Sequence, residues 1–529
     1  MIQSYKKQLH LSIKYDVIVI GSGIGSLTTA TLLARSGKKV LILERHYVAG
    51  GFTHIFKRKN YEWDVGIHYI GEVQRPNSAI KKMFDYITDG KLQWADMGEV
   101  YDRVIIGDKT YDFVKGVKNF KAKMKSYFPA DADAIDQYVD CVFAANKAMR
   151  GFYINKTLPH WVSHFFGAFL TKKYLKFTDQ TTYEVLSALT KNQELIKVLT
   201  AQYGDYGLPP RQSSFAMHAS VAKHYFGGGS FPIGGSGAIM AMVNQVLEAH
   251  GAQIMTNAAV AEIRIDQGKV YGVRMQDGRD IDADQVVSGV GIFNTYQHLI
   301  PDTLRAKHRF ETQLQKIQPS VGHGCLYIGL KGSPESLNLP KNNLWIYPEG
   351  VDHDQAVADY LEDQDRPFPV VYISFPAAKD PSWNARYPDR STIDIITLLP
   401  YETFAQWEGS KWMHRGAEYE ALKEQITQRL LVHLFEQLPH IKDHIDHCEL
   451  STPLTTKNFV NYQKGELYGI DHSPSRYRQK FLQPRTPIKG LYLTGQDIVT
   501  AGVGGAMFSG LITASAMTGK NYMKKIMRL

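Results

Sequence analysis

The sequence is poor in cysteine, which argues against several classes of site. Its 529 residues contain only Cys141, Cys325 and Cys448, and no two of them form a CxxC pair. Neither a redox dithiol nor a zinc site is indicated, so no metal site is expected. Unpaired cysteines are typical of a reducing compartment, so we expect a cytoplasmic protein whose three thiols are buried as small hydrophobic side chains.

The sequence also lacks a long apolar run and a secretory pattern. No run reaches the about 18 apolar residues that a membrane-spanning helix needs. The polar lead, residues 1–14, enters the first apolar segment directly, so we expect no export signal. The formal net charge is +9, but the basic residues are dispersed and no nucleic-acid-binding motif accompanies them. No nucleic-acid partner is therefore expected.

What the sequence does contain is a nucleotide-binding pattern near its start. Residues 17–20 (VIVI) are β-branched and apolar, which predicts a strand buried in a parallel sheet. Gly21, Gly23 and Gly25 follow directly, and Ser26 stands where the third glycine of the GxGxxG fingerprint would be. Glycines at this spacing permit a tight turn and bring the amides of a helix N-terminus close to a pyrophosphate.

The second predicted strand ends in an acidic residue. Residues 40–43 (VLIL) precede Glu44, whose carboxylate is suited to bind ribose hydroxyls and to repel a 2′-phosphate. The pattern therefore favours FAD or NAD over NADP. A later glycine turn, residues 231–235, is interpreted differently because we expect no strand before it. No separate NAD(P)H site is predicted, and the electron donor stays open.

A second glycine-rich turn lies near the C-terminus. Residues 491–493 predict a strand, residues 495–497 (Gly-Gln-Asp) a polar turn, and the glycines that follow a helix. Residues 238–273 predict a helix followed by strands, which suits a returning segment of the same domain. Both ends of the chain are thus expected to meet in one nucleotide-binding domain.

The continuation of these motifs carries a family resemblance. Gly50-Gly51 and Trp63-Asp64-Val65-Gly66 follow the first unit, and Thr452-Pro453-Leu454-Thr455 and the run at 465–472 (GELYGIDH) precede the C-terminal turn. Together they resemble the glutathione-reductase-type flavoproteins, in the branch of phytoene desaturases, carotenoid isomerases and retinol saturases. The Gly-Gln-Asp triplet and the Tyr-Gly-Ile-Asp-His run favour the saturase-like side.

The resemblance implies an α/β fold and FAD as the cofactor. A Rossmann-like FAD-binding domain would comprise residues 1–75, 224–300 and 480–529. A discontinuous mixed α+β substrate domain with a helical lobe would comprise residues 76–223 and 301–479. The implied FAD-binding residues are Gly21, Gly23, Ile24, Gly25, Ser26, Glu44, Arg45, Gly50, Gly51, Phe52, Thr53, Gly66, Ile67, His68, Val260, Gly495, Asp497, Gly504, Gly505 and Ala506.

Three of these residues carry specific roles in the resembling families. The resemblance implies that Asp497 holds a ribityl hydroxyl and that the backbone of Val260 lies beside the adenine. It also implies that the helix beginning around Gly504 directs its dipole towards the flavin N1/C2 region, which stabilises the reduced, anionic form.

The resemblance further implies an oxidoreductase that acts on carbon–carbon double bonds of a lipophilic polyene, most simply as a saturase. Desaturation and cis-trans isomerisation are the alternatives within this class. A prenyl-lipid carrier of the GDP-dissociation-inhibitor type and an amine oxidase are the alternatives from other classes. The candidates for the proton donor are His68, Tyr69, Tyr468 and His472.

Two stretches have the composition of membrane-surface helices. In the first, Trp161, Phe165, Phe166 and Phe169 precede a group of lysines; in the second, residues 522–527 mix apolar and lysine side chains. Aromatic anchors beside lysines are typical of peripheral contact with an anionic bilayer, although core packing explains either stretch equally well. We expect peripheral membrane association.

Overall fold

The computed structural model describes residues 2–7 and 14–528, so most of the polar lead lies outside the described residues. Its strands are β1 (Ile2–Ser4), β2 (Tyr15–Ile20), β3 (Val40–Leu43), β4 (Ile55–Arg58), β5 (Tyr61–Asp64), β6 (Ile70–Gly71), β7 (Trp94–Asp96), β8 (Val100–Ile106), β9 (Lys109–Val114), β10 (Gly229–Pro232), β11 (Gln253–Thr256), β12 (Val260–Asp266), β13 (Lys269–Met275), β14 (Asp280–Ser288), β15 (His323–Lys331), β16 (Asn343–Tyr347), β17 (Val371–Ser374), β18 (Arg390–Leu398), β19 (Ile445–Leu450) and β20 (Leu491–Leu493).

The helices are interspersed with these strands and with short 3-10 helices. They are α1 (Ile24–Ala34), α2 (Ala79–Thr88), α3 (Val117–Tyr127), α4 (Ala132–Thr157), α5 (His160–Thr178), α6 (Thr182–Leu189), α7 (Gln193–Leu199), α8 (Phe215–Tyr225), α9 (Gly237–Ala249), α10 (Ile292–Asn294), α11 (Asp302–His308), α12 (Phe310–Leu314), α13 (His353–Glu362), α14 (Pro376–Lys379), α15 (Trp383–Arg386), α16 (Ala417–Gln437), α17 (Pro453–Val460), α18 (Pro474–Tyr477), α19 (Gly502–Thr518) and α20 (Tyr522–Ile526).

The first sheet joins the two ends of the chain. Among the described residues it has eight strands, in the order β1-β11-β3-β2-β14-β13-β12, and β20 also pairs with β14. Strands β1, β11, β3, β2, β14 and β20 run parallel to one another. Strands β12, β13 and β14 form an antiparallel meander at the other edge. Because β3 and β14 lie on opposite sides of β2, the topology reverses at β2, where α/β sheets bind nucleotides.

Helix α1 is buried along its whole length between this sheet and α19. Its packing explains a glycine: a Cβ at Gly25 would lie 2.9 Å from the carbonyl oxygen of Ala506 and 3.1 Å from Gly495. The sequence predicted a strand over residues 17–20 and a helix N-terminus beside the glycine turn, and both are confirmed, as is the strand Val40–Leu43.

One expectation about the sequence between the ends was wrong. Strand β10 does precede the glycine turn at residues 231–235. It pairs antiparallel with β6 and β7 in a small separate sheet, where Gly229, small and without a side chain, packs against Tyr69 and Met97. Because an antiparallel strand cannot form a βαβ unit, the turn still lacks the setting of a second nucleotide fingerprint.

The second large sheet is mixed and lies outside the nucleotide-binding sheet. Among the described residues its seven strands follow the order β19-β15-β18-β17-β16-β8-β9, with only the β8–β16 pair parallel. It draws strands from both segments that the sequence assigned to the substrate domain. The domain boundaries themselves stay a prediction.

The two suspected surface helices differ in their packing. In α5, Trp161, Phe165, Phe166 and Phe169 are 68, 74, 59 and 82% exposed. In α20, by contrast, Tyr522 and Ile526 are 2% and 1% exposed and belong to the core of the nucleotide-binding region. The C-terminal helix is therefore a core-packed element, whereas α5 presents its aromatic side chains outward.

No helix within residues 2–7 and 14–528 is long and apolar enough to cross a bilayer. The same part of the chain contains no group of three or more His, Cys, Asp or Glu side chains arranged to hold a metal ion. Cys325 is buried, Cys141 and Cys448 are half-buried, and all three are free thiols.

Candidate functional site

A cavity of about 600 Å³ lies at the carboxyl ends of β2 and β3. We call it the nucleotide cavity. The predicted cofactor-binding residues that line it are Gly21, Gly23, Glu44, Arg45, Gly51, Phe52 and Val260. The glycine turn, the acidic end of β3 and the start of β12 therefore converge on one space, although Val260 is more than 200 residues from Gly21 in sequence.

The floor of the nucleotide cavity is backbone. Gly21 has φ +86°, a left-handed conformation that favours glycine. A Cβ at Gly23 would meet no atom within 4 Å, so the turn leaves room beside it. No side chain caps the N-terminus of α1 and no acidic residue lies in its first turn. Its amides and dipole therefore remain available to an anion such as a diphosphate.

Glu44 is held at the wall of this cavity by hydrogen bonds. Its Oε2 accepts from the Ser22 amide at 2.9 Å and the Ser22 hydroxyl at 2.6 Å, and its Oε1 accepts from the His46 amide at 2.8 Å. The Ser22 hydroxyl in turn accepts from the Gly50 amide at 2.9 Å. The carboxylate is therefore oriented before any ligand binds, and it links the glycine turn to the Gly50-Gly51 pair.

Eight other predicted cofactor residues line neither this cavity nor the second cavity beside it. They are Ile24, Gly25, Ser26, Gly50, Thr53, Gly495, Asp497 and Ala506. Ser26 packs behind the cavity wall, because a Cβ at Gly289, which lines the nucleotide cavity, would lie 2.0 Å from the Ser26 hydroxyl. The small side chain at position 26 thus allows α1 to pack closely against the segment that follows β14.

Asp497 ties separate segments together. It is 3% exposed, and its carboxylate accepts the Ile292 amide at 2.8 Å and the Ile470 amide at 3.0 Å. Burial raises the pKa of its carboxyl, while nearby Arg476 and the two amides lower it. The structure thus gives Asp497 a structural role; its implied contact with a ribityl hydroxyl stays a prediction.

The sequence missed one wall of the nucleotide cavity. Lys457 and residues 459–463 line it, although they belong to the segment assigned to the substrate domain. Asn461 ends α17 in the left-handed region, with φ +67°. An asparagine that stops a short helix is the one local signal here, and it does not reveal which cavity the loop faces.

A second cavity, of about 330 Å³, lies between the second large sheet and helices α4, α8 and α19. We call it the central cavity. The predicted residues that line it are Gly66, Ile67, His68, Tyr69, Tyr468, Gly504 and Gly505. The two cavities adjoin where Gly66 packs against Phe52, because a Cβ at Gly66 would lie 3.0 Å from the Phe52 Cβ. Three of the four candidate proton donors thus share one space next to the nucleotide cavity.

The fourth candidate, His472, does not line the central cavity. It is fully buried, its Nε2 accepts the Ala501 amide at 2.8 Å, and burial holds the pKa of its imidazole well below the usual value. A neutral histidine that accepts a hydrogen bond cannot donate a proton from that nitrogen. The hydrogen bond from Ala501 to His472 instead fixes the backbone directly before α19.

His68 stands beside a buried carboxylate. Its Nδ1 lies 3.3 Å from Oδ2 of Asp394, which is 0% exposed. Burial raises the pKa of the Asp394 carboxyl, and His68 and Lys379 lower it. His323 also lines this cavity, with a buried Nδ1 that finds no hydrogen-bond partner, and burial lowers its pKa to about 4.

Tyr69 belongs to a polar network that sequence patterns did not reveal. Its hydroxyl lies 3.0 Å from Oδ2 of Asp102 and 3.0 Å from Oδ2 of Asp205. Asp102 also accepts the side-chain amides of Gln202 and Asn343, both at 2.8 Å. These residues come from four separate elements or loops, so no local spacing in the sequence could have grouped them.

A buried lysine completes this network. Lys379 is 1% exposed, and its Nζ donates to the His68 carbonyl at 2.9 Å, the Ser374 hydroxyl at 2.7 Å and the Asn343 side-chain carbonyl. Three acceptors match the three N–H groups of an ammonium. Burial lowers its pKa to about 7, opposed by the charges of Asp102, Asp394 and Asp64.

The residues present fit FAD. The uncapped start of α1 and the open side of Gly23 suit a diphosphate, and Glu44 suits a ribose. At the junction with the central cavity, α19 also begins without a side-chain cap or an acidic first turn. Its dipole faces a space lined by Gly504 and Gly505, as binding of an electron-rich flavin edge requires.

Comparison with known proteins agrees with this geometry. The family of flavin-containing amine oxidoreductases matches residues 27–518. All-trans-retinol 13,14-reductase of Danio rerio is 34% identical, over 96% of this chain and 86% of its own length. A relative in Danio rerio, inactive all-trans-retinol 13,14-reductase, is also 34% identical, over 95% of this chain and 85% of its own.

The crystal structure of an oxidoreductase from Methanosarcina mazei has the same fold, with a TM-score of 0.62 and 16% identity. The alignment covers 93% of this chain and 98% of that one. The Rossmann-like fold and FAD dependence predicted from the sequence are therefore confirmed, and the protein is an FAD-dependent oxidoreductase. The chain belongs to the flavin-containing amine oxidoreductase family, in the branch that includes the all-trans-retinol 13,14-reductases.

Proposed function

We propose that this flavoenzyme reduces a carbon–carbon double bond of a lipophilic polyene of the retinoid or carotenoid type. The observation that carries the proposal is the central cavity, which adjoins the nucleotide cavity and combines apolar walls with a few buried acids and phenols. Its apolar lining includes Met149, Met217, Val221, Leu398 and Phe508. The names of relatives that cover most of the chain support the same substrate class.

A carbon–carbon double bond of a polyene offers no group for hydrogen bonding, so the walls must hold the chain by shape. Bound FAD supplies hydride exchange with carbon. The side chains of this protein then have three tasks: to exclude water, to fix one carbon pair, and to supply a proton. His68, Tyr69 and Tyr468 are the predicted candidates for the last task, and His472 acts as a positioning residue behind α19.

Sequence identity alone does not establish activity, since a relative named inactive is as similar as one named a reductase. The test is a single turnover of the purified protein in detergent. The bound flavin is reduced chemically without oxygen, all-trans-retinol or a carotenoid is added, and both chromophores are followed. We expect the oxidised flavin band to return as polyene absorbance is lost.

Other outcomes contradict the proposal in different ways. A shift of the polyene spectrum without net oxidation of the flavin indicates an isomerase. Oxidised flavin that becomes reduced on addition of a more saturated polyene indicates a desaturase. Protein that binds no FAD, even after reconstitution, leaves the lipid carrier as the remaining interpretation, and bleaching by an amine favours an amine oxidase.

We also infer that the protein contacts membranes through α5. Helix α5 buries Gly167, Thr171, Tyr174 and Thr178, which recur at helical spacing, and Tyr174 is the one large ring among them. A surface helix normally buries its large apolar side chains and exposes its polar ones. The outward side chains Trp161, Phe165, Phe166 and Phe169 form what we call the aromatic patch.

Exposed lysines lie next to this patch at positions 172, 173 and 176. Aromatic side chains with adjacent lysines suit the interface of an anionic bilayer, and a lipophilic substrate is available there. The neighbouring α4 and α8 both contact α5 and also line the central cavity through Met149 and Val221. The patch therefore lies next to the helices that enclose the proposed substrate site.

Vesicle flotation tests this contact. The double variant Phe165→Ser/Phe169→Ser should lose most binding to vesicles that contain phosphatidylserine, by roughly tenfold or more, because two inserted aromatic side chains are removed. The control is Leu361→Ser, which removes a side chain that is 58% exposed outside the patch. Equal binding of both variants and the unmodified protein would rule out α5 as the contact.

A further inference from the structure

The Tyr69 network places two carboxyl groups against one phenol. Asp205 lies at the end of a short 3-10 helix, Ala201–Asp205, and lines the central cavity together with Tyr69. Asp102 lies behind Tyr69 on β8 and is fully buried. The hydroxyl of Tyr69 is 3.0 Å from an oxygen of each carboxyl group.

Counting protons in this network fixes the state of Asp205. The Asn343 amide has a fixed orientation because its carbonyl oxygen accepts from Lys379, so its NH₂ group must face Asp102. Asp102 therefore accepts from Asn343 and Gln202 and is the carboxylate of the pair. The Tyr69 hydroxyl has a single hydrogen, and it forms the stronger hydrogen bond when it donates to this anion.

The remaining contact, between Tyr69 and Asp205, then needs a hydrogen from the other side. Since the Tyr69 hydroxyl has donated its hydrogen to Asp102, its oxygen can only accept, and Asp205 must carry the proton. Burial and the neighbouring charge of Asp102 raise the pKa of Asp205 well above the usual value, and the Tyr69 contact lowers it only in part. Two carboxyl groups that contact the same hydroxyl repel each other when both are charged, which favours the neutral form of one of them.

The other groups that interact with Asp205 do not compete for this role. The phenols of Tyr225, Tyr372 and Tyr468 lie near it, and burial raises the pKa of each well above the usual value. His224 also lines the cavity, but its Nε2 accepts the Gly71 amide at 2.8 Å and burial lowers its pKa to about 3. At neutral pH these groups are a set of weak acids and a neutral base.

We propose that Asp205 is the general acid of this enzyme, with Tyr69 and Asp102 as the positioning residues that keep it protonated and directed into the central cavity. The inference rests on the proposed reduction of a polyene. Reduced FAD, which the glycine turn and Glu44 would hold, would supply hydride to one carbon of the double bond and would thereby be oxidised. The other carbon forms a C–H bond with the proton of Asp205 as the Asp205 O–H bond breaks.

The balance of this step is complete. The double bond gains two hydrogens, reduced flavin loses two electrons, and Asp205 is left as a carboxylate that regains a proton from solvent before the next turnover. A neutral acid also suits the site, because it brings no net charge into an apolar cavity until the proton is transferred. Proton donation by a positioned side chain accelerates such steps by about 10²–10⁴-fold.

Infrared spectroscopy tests the protonation state without turnover. Oxidised holoenzyme containing aspartate labelled with ¹³C at the side-chain carboxyl is measured at neutral pH, in light and heavy water. We expect the Asp205→Asn variant to lose one carbonyl band of a protonated, labelled carboxyl group. The control Asp266→Asn removes an exposed aspartate and should leave that band intact. An unchanged band in Asp205→Asn would overturn the inference.

Single-turnover kinetics then tests the role. With flavin content and circular dichroism unchanged, Asp205→Asn should slow reoxidation of reduced flavin by the polyene about 100-fold or more. Tyr69→Phe should slow it less, while the control Tyr203→Phe removes a buried phenol whose hydroxyl bonds the Pro369 carbonyl, outside the cavity, and should change little.

The outcomes separate the two proposals. If unmodified enzyme reacts and Asp205→Asn reacts within about threefold of it, Asp205 is not the acid. If unmodified enzyme fails to react with any polyene although its flavin is reduced, the proposed substrate class is wrong, and the catalytic role of Asp205 is withdrawn with it. The infrared band would then still report whether Asp205 carries a proton.

Discussion

The two cavities are built in different ways, although they adjoin. The nucleotide cavity has a floor of backbone, in which glycines and uncapped helix amides form the surface and Glu44 is fixed by local hydrogen bonds. The central cavity is lined by side chains from distant elements, such as His68, Tyr69 and Asp205, and is supported by buried charges. A common cofactor can be bound by backbone groups alone, whereas the chemistry of one particular reaction depends on side chains.

This contrast predicts that the largest effect of a single change falls on cofactor binding. A Cβ at Gly23 meets no protein atom within 4 Å, so Gly23→Val should leave the fold intact while its branches fill the space beside the glycine turn. We expect FAD affinity to fall about 100-fold or more, equivalent to about 2.7 kcal/mol. Flavin titration of apoprotein measures the affinity, and thermal unfolding measures the fold.

Gly25→Ala is the matched comparison for this prediction. Its Cβ would lie 2.9 Å from the Ala506 carbonyl oxygen, so the variant should lose thermal stability in the absence of FAD. If Gly23→Val instead loses stability and retains FAD, the distinction between a cofactor-facing and a packing glycine fails.

Asp497 binds two buried amides from distant segments, and its removal should act on the stability of the fold. Asp497→Ala leaves the buried amides of Ile292 and Ile470 without an acceptor. Each unsatisfied buried group costs about 1–3 kcal/mol, so we expect the two amides together to lower the free energy of unfolding by about 2–6 kcal/mol.

Urea unfolding of apoprotein measures this loss without any contribution from the cofactor. Asp497→Asn retains one side-chain carbonyl oxygen and should lose less stability than the alanine variant. Equal stability of Asp497→Ala and unmodified apoprotein would show that the residue serves the cofactor alone.

The same contrast explains what the sequence could predict. Strand, glycine turn, helix and Glu44 lie within about 30 residues, the length of one βαβ unit, so their spacing encodes the nucleotide cavity directly. The loop at residues 457–463 and the partners of Tyr69 are brought in by sheet pairing over hundreds of residues. Their composition is that of an ordinary core, so neither the second wall nor Asp205 could be recognised.

His68 extends the comparison to catalysis. It lines the central cavity, and its imidazole lies 3.3 Å from the buried carboxylate of Asp394. We expect His68→Ala to retain FAD and to slow turnover by at least about tenfold, because a positioned side chain of the cavity is lost. His353→Gln, a buried histidine that bonds the Lys197 carbonyl outside the cavity, is the control. Unchanged turnover would remove His68 from the catalytic candidates.

The smallest effect concerns pH, and it should arise from buried histidines on the cavity side. His218 lies on α8, which helps to line the central cavity, and it is 1% exposed between the hydroxyls of Tyr138 and Tyr206. Burial lowers its pKa from 6.5 to about 3. Between these values the unfolded chain binds the extra proton, so this residue's contribution to stability falls as pH decreases below about 6.5.

The expected slope is about 1.4 kcal/mol for each pH unit between about pH 6 and pH 4. His218→Gln cannot gain a proton, so its unfolding free energy should depend less steeply on pH over this range, even if its stability at pH 7 is lower. His414→Gln, which replaces an exposed histidine, should follow the unmodified protein. Parallel pH curves for His218→Gln and the unmodified protein would show that the acid sensitivity of the cavity side arises from other groups.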